Sequence, residues 1–162
     1  MWTVIDSPVG ELRLVELDGH LTAIEFSPFR DATANRGRPL GVRRDDAPLL
    51  VETARQLRAY FARDLKEFDL PLAPSGSTFQ QQVWHELRRI GYGETATYGE
   101  VAHRLGRTNA ASRAVGLANG SNPIPIVVPC HRVIGANGTL TGYAGGLERK
   151  QLLLGLEQDA LF

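Results

Sequence analysis

Three prolines in seven residues, Pro123, Pro125 and Pro129, exclude a helix over Asn122-Pro123-Ile124-Pro125-Ile126-Val127-Val128-Pro129. Each proline removes an amide donor and biases its predecessor towards extended or polyproline backbone. The run is therefore expected to be a stiff, extended, apolar lead into Cys130-His131. Cys130 is the only cysteine in the sequence, so no internal disulfide forms, and four histidines leave little for a Cys-rich zinc site. At 162 residues with 43% hydrophobic content, the chain suits one compact domain or two small ones that need no staples. Lys and Arg (18) balance Asp and Glu (18), which excludes histone-like blanket basicity and still allows a local basic face. No apolar run approaches the roughly 20 residues of a membrane span. The segment Met1-Trp2-Thr3-Val4-Ile5-Asp6 lacks a secretory signal pattern. A protein of a reducing, cytoplasmic compartment without a membrane partner is expected.

Residues 1–75 read as a small α/β domain. Val4-Ile5 and the series Leu12, Leu14, Leu17 predict strands, Asp18-Gly19 a hairpin turn, and Leu21–Phe26 the return strand. The aperiodic stretch Pro28–Pro48 reads as a mobile surface loop. Leu50, Ala54, Leu57 and Phe61 fall at helical spacing, with Asp45 or Asp46 near the start. A linker follows at Pro71–Ser77, and residues 76–162 form a second, mainly helical domain. There Thr78 with Gln81 predicts a capping box ahead of the core face Phe79, Val83, Leu87 and Ile90. Thr97 with Glu100 repeats the box before a short helix carrying Val101, Ala102 and Leu105. Beyond the Gly106-Arg107-Thr108 turn, the Ala-rich stretch Ala110–Ala118 predicts another helix. Two short helices across such a turn form a helix-turn-helix, although ordinary helical corners look alike. Residues 85–132 carry six Lys and Arg against three Asp and Glu, a balance compatible with a polyanion partner. Cys130–Ile134 and Thr139–Tyr143 are expected to pair around Asn137-Gly138, and Leu147–Glu157 closes as a helix.

A lone cysteine is most often a small buried hydrophobe. The stiff approach to Cys130 and the adjacent His131 point further, to a nucleophile with a base. On extended backbone His131 would face away from Cys130, so a partnership requires a local turn or a bridging water. A carboxylate is wanted to hold the imidazole, and Glu157 on the last helix is a candidate, although spacing alone does not bring them together. Arg113 reads as a solvated helical arginine by default. Its small neighbours Ala110, Ala111 and Ala114 would also let the helix approach DNA, leaving one long side chain to probe a groove. Tyr98 and Tyr143 could pack, or stack on an extruded base.

The sequence resembles the O6-alkylguanine-DNA alkyltransferases. The resemblance rests on Pro129-Cys130-His131-Arg132-Val133 with Asn122-Pro123-Ile124-Pro125 ahead of it. It is reinforced by Tyr98-Gly99-Glu100-Val101-Ala102, Ser112-Arg113-Ala114-Val115-Gly116 and Gly142-Tyr143-Ala144-Gly145-Gly146, followed by Lys150 and Glu157. It implies an RNase H-like α/β domain with a small antiparallel sheet, then a winged helix-turn-helix. It also implies single-turnover S-methyltransfer from O6-alkylguanine, mainly O6-methylguanine, to Cys130, with His131 as base through water and Glu157 orienting it. Asn122 would brace the active-site turn, and Tyr98 would help extrude the nucleotide and protonate the departing guanine. Arg113 would fill the vacated stack. Ala111, Ser112, Ala114 and Gly116 would complete the DNA contact, and Tyr98, Val133, Tyr143 and Ala144 would line the pocket. The implied partner is duplex DNA bound through its minor groove by a monomer, with clustering along DNA and association with the nucleoid when bound. No cofactor and no metal are expected.

Three positions depart from the family pattern. Ala144 replaces a pocket serine found in many members, Gly99 replaces a polar residue found in some, and the first domain has no cysteine for the zinc site of some relatives. Two other readings use the same residues: a lesion-binding protein with a silent cysteine, and a cysteine hydrolase that turns over repeatedly.

Overall fold

The computed structural model describes residues 1–29, 40–140, 142–143 and 145–159. The chain divides into two compact units, 1–74 and 75–162.

In the first unit β1 (Trp2–Ile5), β2 (Leu12–Leu17) and β3 (His20–Phe26) form an antiparallel sheet in that order. Asp18 (φ 51°) and Gly19 (φ 77°) both take left-handed backbone, the geometry of the tight hairpin turn expected there. Leu14 lies opposite Ile24 and Val15 opposite Ala23, so the two pairs face opposite sides of the sheet. Leu12, Leu14 and Ile24 are buried, as are Leu50, Leu57 and Tyr60 of α1 (Pro48–Phe61), which packs on the sheet. Leu17, at the hairpin end beyond a bulge at Val15/Glu16, is exposed, and Phe61 is only half-buried because Tyr60 takes the core position. Neither Asp45 nor Asp46 caps α1. Its N-cap is Ala47 with Pro48 following, while Asp45 accepts from Thr3 (2.7 Å) and Arg43 (2.9 Å).

The Pro28–Pro48 stretch departs from a free loop where it is described. Leu40 is buried with Val15 and Ala23, and residues 42–44 bond to the Trp2 backbone. Residues 30–39 of that expectation lie outside the described residues.

The second unit contains α2 (Thr78–Leu87), β4 (Ala96–Thr97), α3 (Tyr98–Arg104), α4 (Ser112–Gly120), β5 (Val133–Ile134) and α5 (Leu147–Asp159). Val83, Trp84, Leu87 and Ile90 are buried, and Phe79 is half-buried beneath the Arg107 guanidinium at 4.8 Å. The first capping box sits one residue earlier than expected. Ser77 accepts from the Gln80 amide (3.1 Å), and the Gln80 side chain accepts from the Ser77 amide (2.8 Å). Gly76 permits this entry, since a Cβ there would lie 2.4 Å from the Trp84 ring. Thr97 caps α3 as expected, accepting from the Glu100 amide at 3.0 Å. The Ala-rich stretch divides into a 3-10 turn at Asn109–Ala111 and α4, which packs against α2 and α3.

The expected hairpin after Cys130 is corrected. Cys130–Arg132 is a 3-10 turn, and β5 pairs in parallel with β4, Ala96 opposite Val133. The Asn137-Gly138 turn does form, with Gly138 at φ 79° and the Gly135 amide bonded to the Thr139 carbonyl (2.8 Å). Its return segment, as far as described, adds no strand. No described helix is long and apolar enough to cross a membrane.

Candidate active site and nucleic-acid interface

The proline-rich run turns where an extended segment was expected. Ile126 takes left-handed backbone (φ 74°), with the Val128 amide bonded to the Ile124 carbonyl (2.9 Å). Such backbone is unfavourable for a β-branched residue, and burial of Ile124, Ile126 and Val128 accompanies it. Asn122 braces the turn from inside. Its amide nitrogen donates to the Val128 carbonyl (2.8 Å), and its oxygen accepts from the Ile124 amide (3.0 Å). From α4, Asn119 donates to the Cys130 carbonyl at 3.3 Å. The 3-10 turn at Cys130 frees His131 from the alternation of a strand and sends it inward, where it is fully buried.

There His131 Nε2 lies 2.6 Å from Glu157 Oε2 on α5. Arg132 forks onto the same carboxylate, Nε to Oε1 at 2.8 Å and Nη2 to Oε2 at 3.0 Å, and its Nη1 donates to the Ile90 carbonyl at 2.6 Å. The Gly93 amide adds a contact to Oε1 at 3.3 Å. Burial alone would raise the Glu157 pKa, but His131 and Arg132 overcome it and hold the carboxyl down at about 2. Glu157 is thus ionised near neutrality and acts only as an acceptor, so the Nε2 nitrogen carries the imidazole proton. Burial pushes the His131 pKa down, which keeps the ring neutral. Its Nδ1, buried and without a hydrogen-bond partner among the described residues, is then the nitrogen whose lone pair is not used by Glu157.

Cys130 is buried, and that burial pushes its thiol up to about 11, against the opposing pull of Asn122, the Lys150 charge and Tyr143. At pH 7 on the order of one thiol in ten thousand is ionised, so this sulfur needs a base to react. Lys150 is fully buried, its Nζ donating to the Val133 carbonyl at 2.6 Å. Burial lowers its pKa, and Cys130 partly restores it.

A groove of about 810 Å³ opens along α4, lined by Tyr98, Ser112, Arg113, Gly116 and Tyr143 among others. The Tyr98 ring lies against Gly116, where an added Cβ would sit 3.7 Å away. Ala111 is half-buried and Ala114 exposed at this helix. Val133 is fully buried in β5, and Ala144 lies outside the described residues. His131 and Glu157 therefore share one buried network with Arg132, Cys130 precedes His131 in the same 3-10 turn, and Tyr98, Arg113, Ser112, Gly116 and Tyr143 share the groove. Sequence reasoning passed over Arg132 as the second holder of Glu157, and Asn119 and Lys150 as supports of the Cys130–Val133 backbone. Among the described residues, no three His, Cys, Asp or Glu side chains are grouped as metal ligands.

Fold and site together define a helix-turn-helix unit that carries a buried thiol next in sequence to the imidazole of a buried imidazole–carboxylate pair. The sequence matches the family described as 6-O-methylguanine DNA methyltransferase, its ribonuclease-like domain over residues 1–74 and its DNA binding domain over residues 78–159. The chain belongs to this family. It is similar to the methylated-DNA–protein-cysteine methyltransferase of Methanosarcina acetivorans, 64% identical over 96% of this chain and 97% of that protein. The Mycobacterium tuberculosis protein of the same name is 48% identical over 98% of this chain and 92% of its own. Among solved structures, the Mycobacterium tuberculosis O6-methylguanine methyltransferase matches at TM-score 0.85 and 46% identity, covering 98% of this chain and 93% of that one. A Mycobacterium tuberculosis OGT in complex with DNA matches at TM-score 0.84 with the same identity and coverage.

Proposed function

We propose that this chain is a single-turnover methylated-DNA–protein-cysteine S-methyltransferase that reverses O6-alkylguanine damage, chiefly O6-methylguanine, in duplex DNA. The observation that carries the reading is the buried His131–Glu157 bond of 2.6 Å beside Cys130, because it fixes the tautomer that leaves Nδ1 basic. The methylated O6 lies within the base stack, so the nucleotide is extruded before reaction. Binding is through the minor groove, with α4 as the inserted helix and Ala111, Ser112, Ala114 and Gly116 allowing close approach. Arg113 fills the space the base vacates. Tyr98 and Tyr143 face the extruded base across the groove, and Val133 contributes to its pocket.

The thiol proton passes to His131 Nδ1, directly or through water, as Cys130 Sγ attacks the alkyl carbon. The S–C bond forms, the C–O6 bond breaks, and guanine departs with the proton returned to it, assisted by Tyr98. Glu157 stabilises the transient imidazolium, as in other nucleophile–base–carboxylate sets. Arg132 holds Glu157 in place, and Asn122 and Asn119 hold the backbone of the turn. The product thioether has no second thiol to resolve it, so each chain acts once, as a monomer and without a cofactor.

Titrating a fixed amount of protein with an O6-methylguanine duplex tests this reading. Restored guanine reaches a plateau at one lesion per chain, and Cys130→Ser protein restores none. Repair beyond one equivalent, or repair by the serine variant, overturns it.

A further inference from the structure

Leu117 is 70% exposed, the most exposed large hydrophobic side chain among the described residues. It lines the groove along α4 together with Arg113, Gly116 and Gly120. These positions form one stripe of the helix, and two of them are glycines, so Arg113 and Leu117 project from that stripe between residues that have no side chain. They stand one turn apart, about 6 Å along the axis at 1.5 Å per residue, which matches one or two base steps of duplex. An isolated exposed leucine needs no explanation. This one faces the groove that holds Tyr98 and Tyr143 and extends the surface that carries Arg113.

We infer that Leu117 is a second, apolar prong of the DNA contact, packing in the minor groove against the sugars and base edges beside the step that Arg113 fills. Apolar wedges entering from the minor groove are an established way to hold a duplex unstacked. The leucine suits this role because it carries no charge, so it adds contact area where Arg113 already supplies the attraction to phosphates. The inference rests on the proposed alkyl transfer and assigns to that reaction a duplex-specific residue.

The test compares second-order rates of Cys130 methylation by an O6-methylguanine duplex and by the free O6-methylguanine base, for wild type, Leu117→Ala and Leu117→Met. The side chain is exposed, so neither substitution disturbs the core. For Leu117→Ala the duplex-to-base rate ratio falls about five- to twenty-fold, the scale of losing a partly buried leucine contact, and Leu117→Met restores most of it. The deficit stays constant between 50 and 200 mM salt, concentrations over which phosphate contacts weaken strongly. An unchanged ratio overturns the inference, as does an equal fall on both substrates, which would make Leu117 a wall of the alkyl pocket. A deficit that varies with salt also overturns it. If wild type methylates with neither substrate, the alkyl-transfer reading itself fails.

Discussion

Replacing Arg132 by Met tests whether the buried network is built as described. The side chain is nearly as long, but the substitution removes the two parallel bonds to Glu157 at 2.8 and 3.0 Å and the bond to the Ile90 carbonyl at 2.6 Å. Both partners of the pair are less than 10% exposed, so solvent cannot take over. Removing one partner of such a pair costs roughly 3–5 kcal/mol, because a charge stays buried without its counterion. The carboxyl itself gives a comparable figure: its pKa lies near 2 against an ordinary value of 4.5, worth about 3 kcal/mol at about 1.4 kcal/mol per unit. His131 and Arg132 share that lowering.

The pH dependence has a definite sign. A depressed carboxyl stabilises the fold fully above its unfolded pKa and loses that contribution as pH falls towards the folded value. Wild type therefore loses part of its advantage below pH 4.5, whereas the Arg132→Met protein has less to lose. The deficit, measured by urea unfolding, is about 3–5 kcal/mol at pH 7 and narrows by about 1 kcal/mol at pH 3.5. The double variant Arg132→Met/Glu157→Gln loses about 2 kcal/mol less than the sum of the single losses. A loss under about 1 kcal/mol at pH 7, or a deficit that widens on acidification, would refute the assignment.

Three further outcomes are expected. His131→Gln slows Cys130 methylation about 10²- to 10⁴-fold at pH 7, and its residual rate climbs with pH towards the thiol pKa of about 11, as a stopped-flow pH profile would show. Arg113→Ala lowers repair of duplex more than reaction with free O6-methylguanine base, and equal losses on both would reject its stack-filling role. Ser77→Ala removes the α2 cap and costs about 1 kcal/mol in urea unfolding, with the methylation rate retained at temperatures where the protein stays folded.

Sequence rules recovered what is decided locally. The Asp18-Gly19 hairpin and the Thr97 cap follow from turn and cap chemistry within a few residues. The pairing of His131 with Glu157 spans 26 residues; Glu157 can be named as a candidate carboxylate, but no local rule brings the two together. Features decided by distant contacts were not legible. Arg132 and Lys150 stand in the motifs that carry the resemblance, but nothing local in the sequence says that either is buried or what it pairs with. Their partners, Glu157, Ile90 and Val133, lie 17–42 residues away. Ser77 and Thr78 are both good caps, and the close passage of Gly76 over Trp84 goes with the choice of Ser77. Asn137-Gly138 did signal its turn, but β4 is the partner of β5. The left-handed Ile126 has no sequence signature, because proline spacing excludes helix without choosing between an extended run and a turn.

Intact mass before and after incubation with an O6-methylguanine duplex, followed by peptide mapping, addresses the central claim most directly. The account predicts a gain of one CH₂ unit per chain, located on Cys130 and saturating at one. An unchanged mass with the duplex still bound, or a methyl group on any other residue, would contradict it.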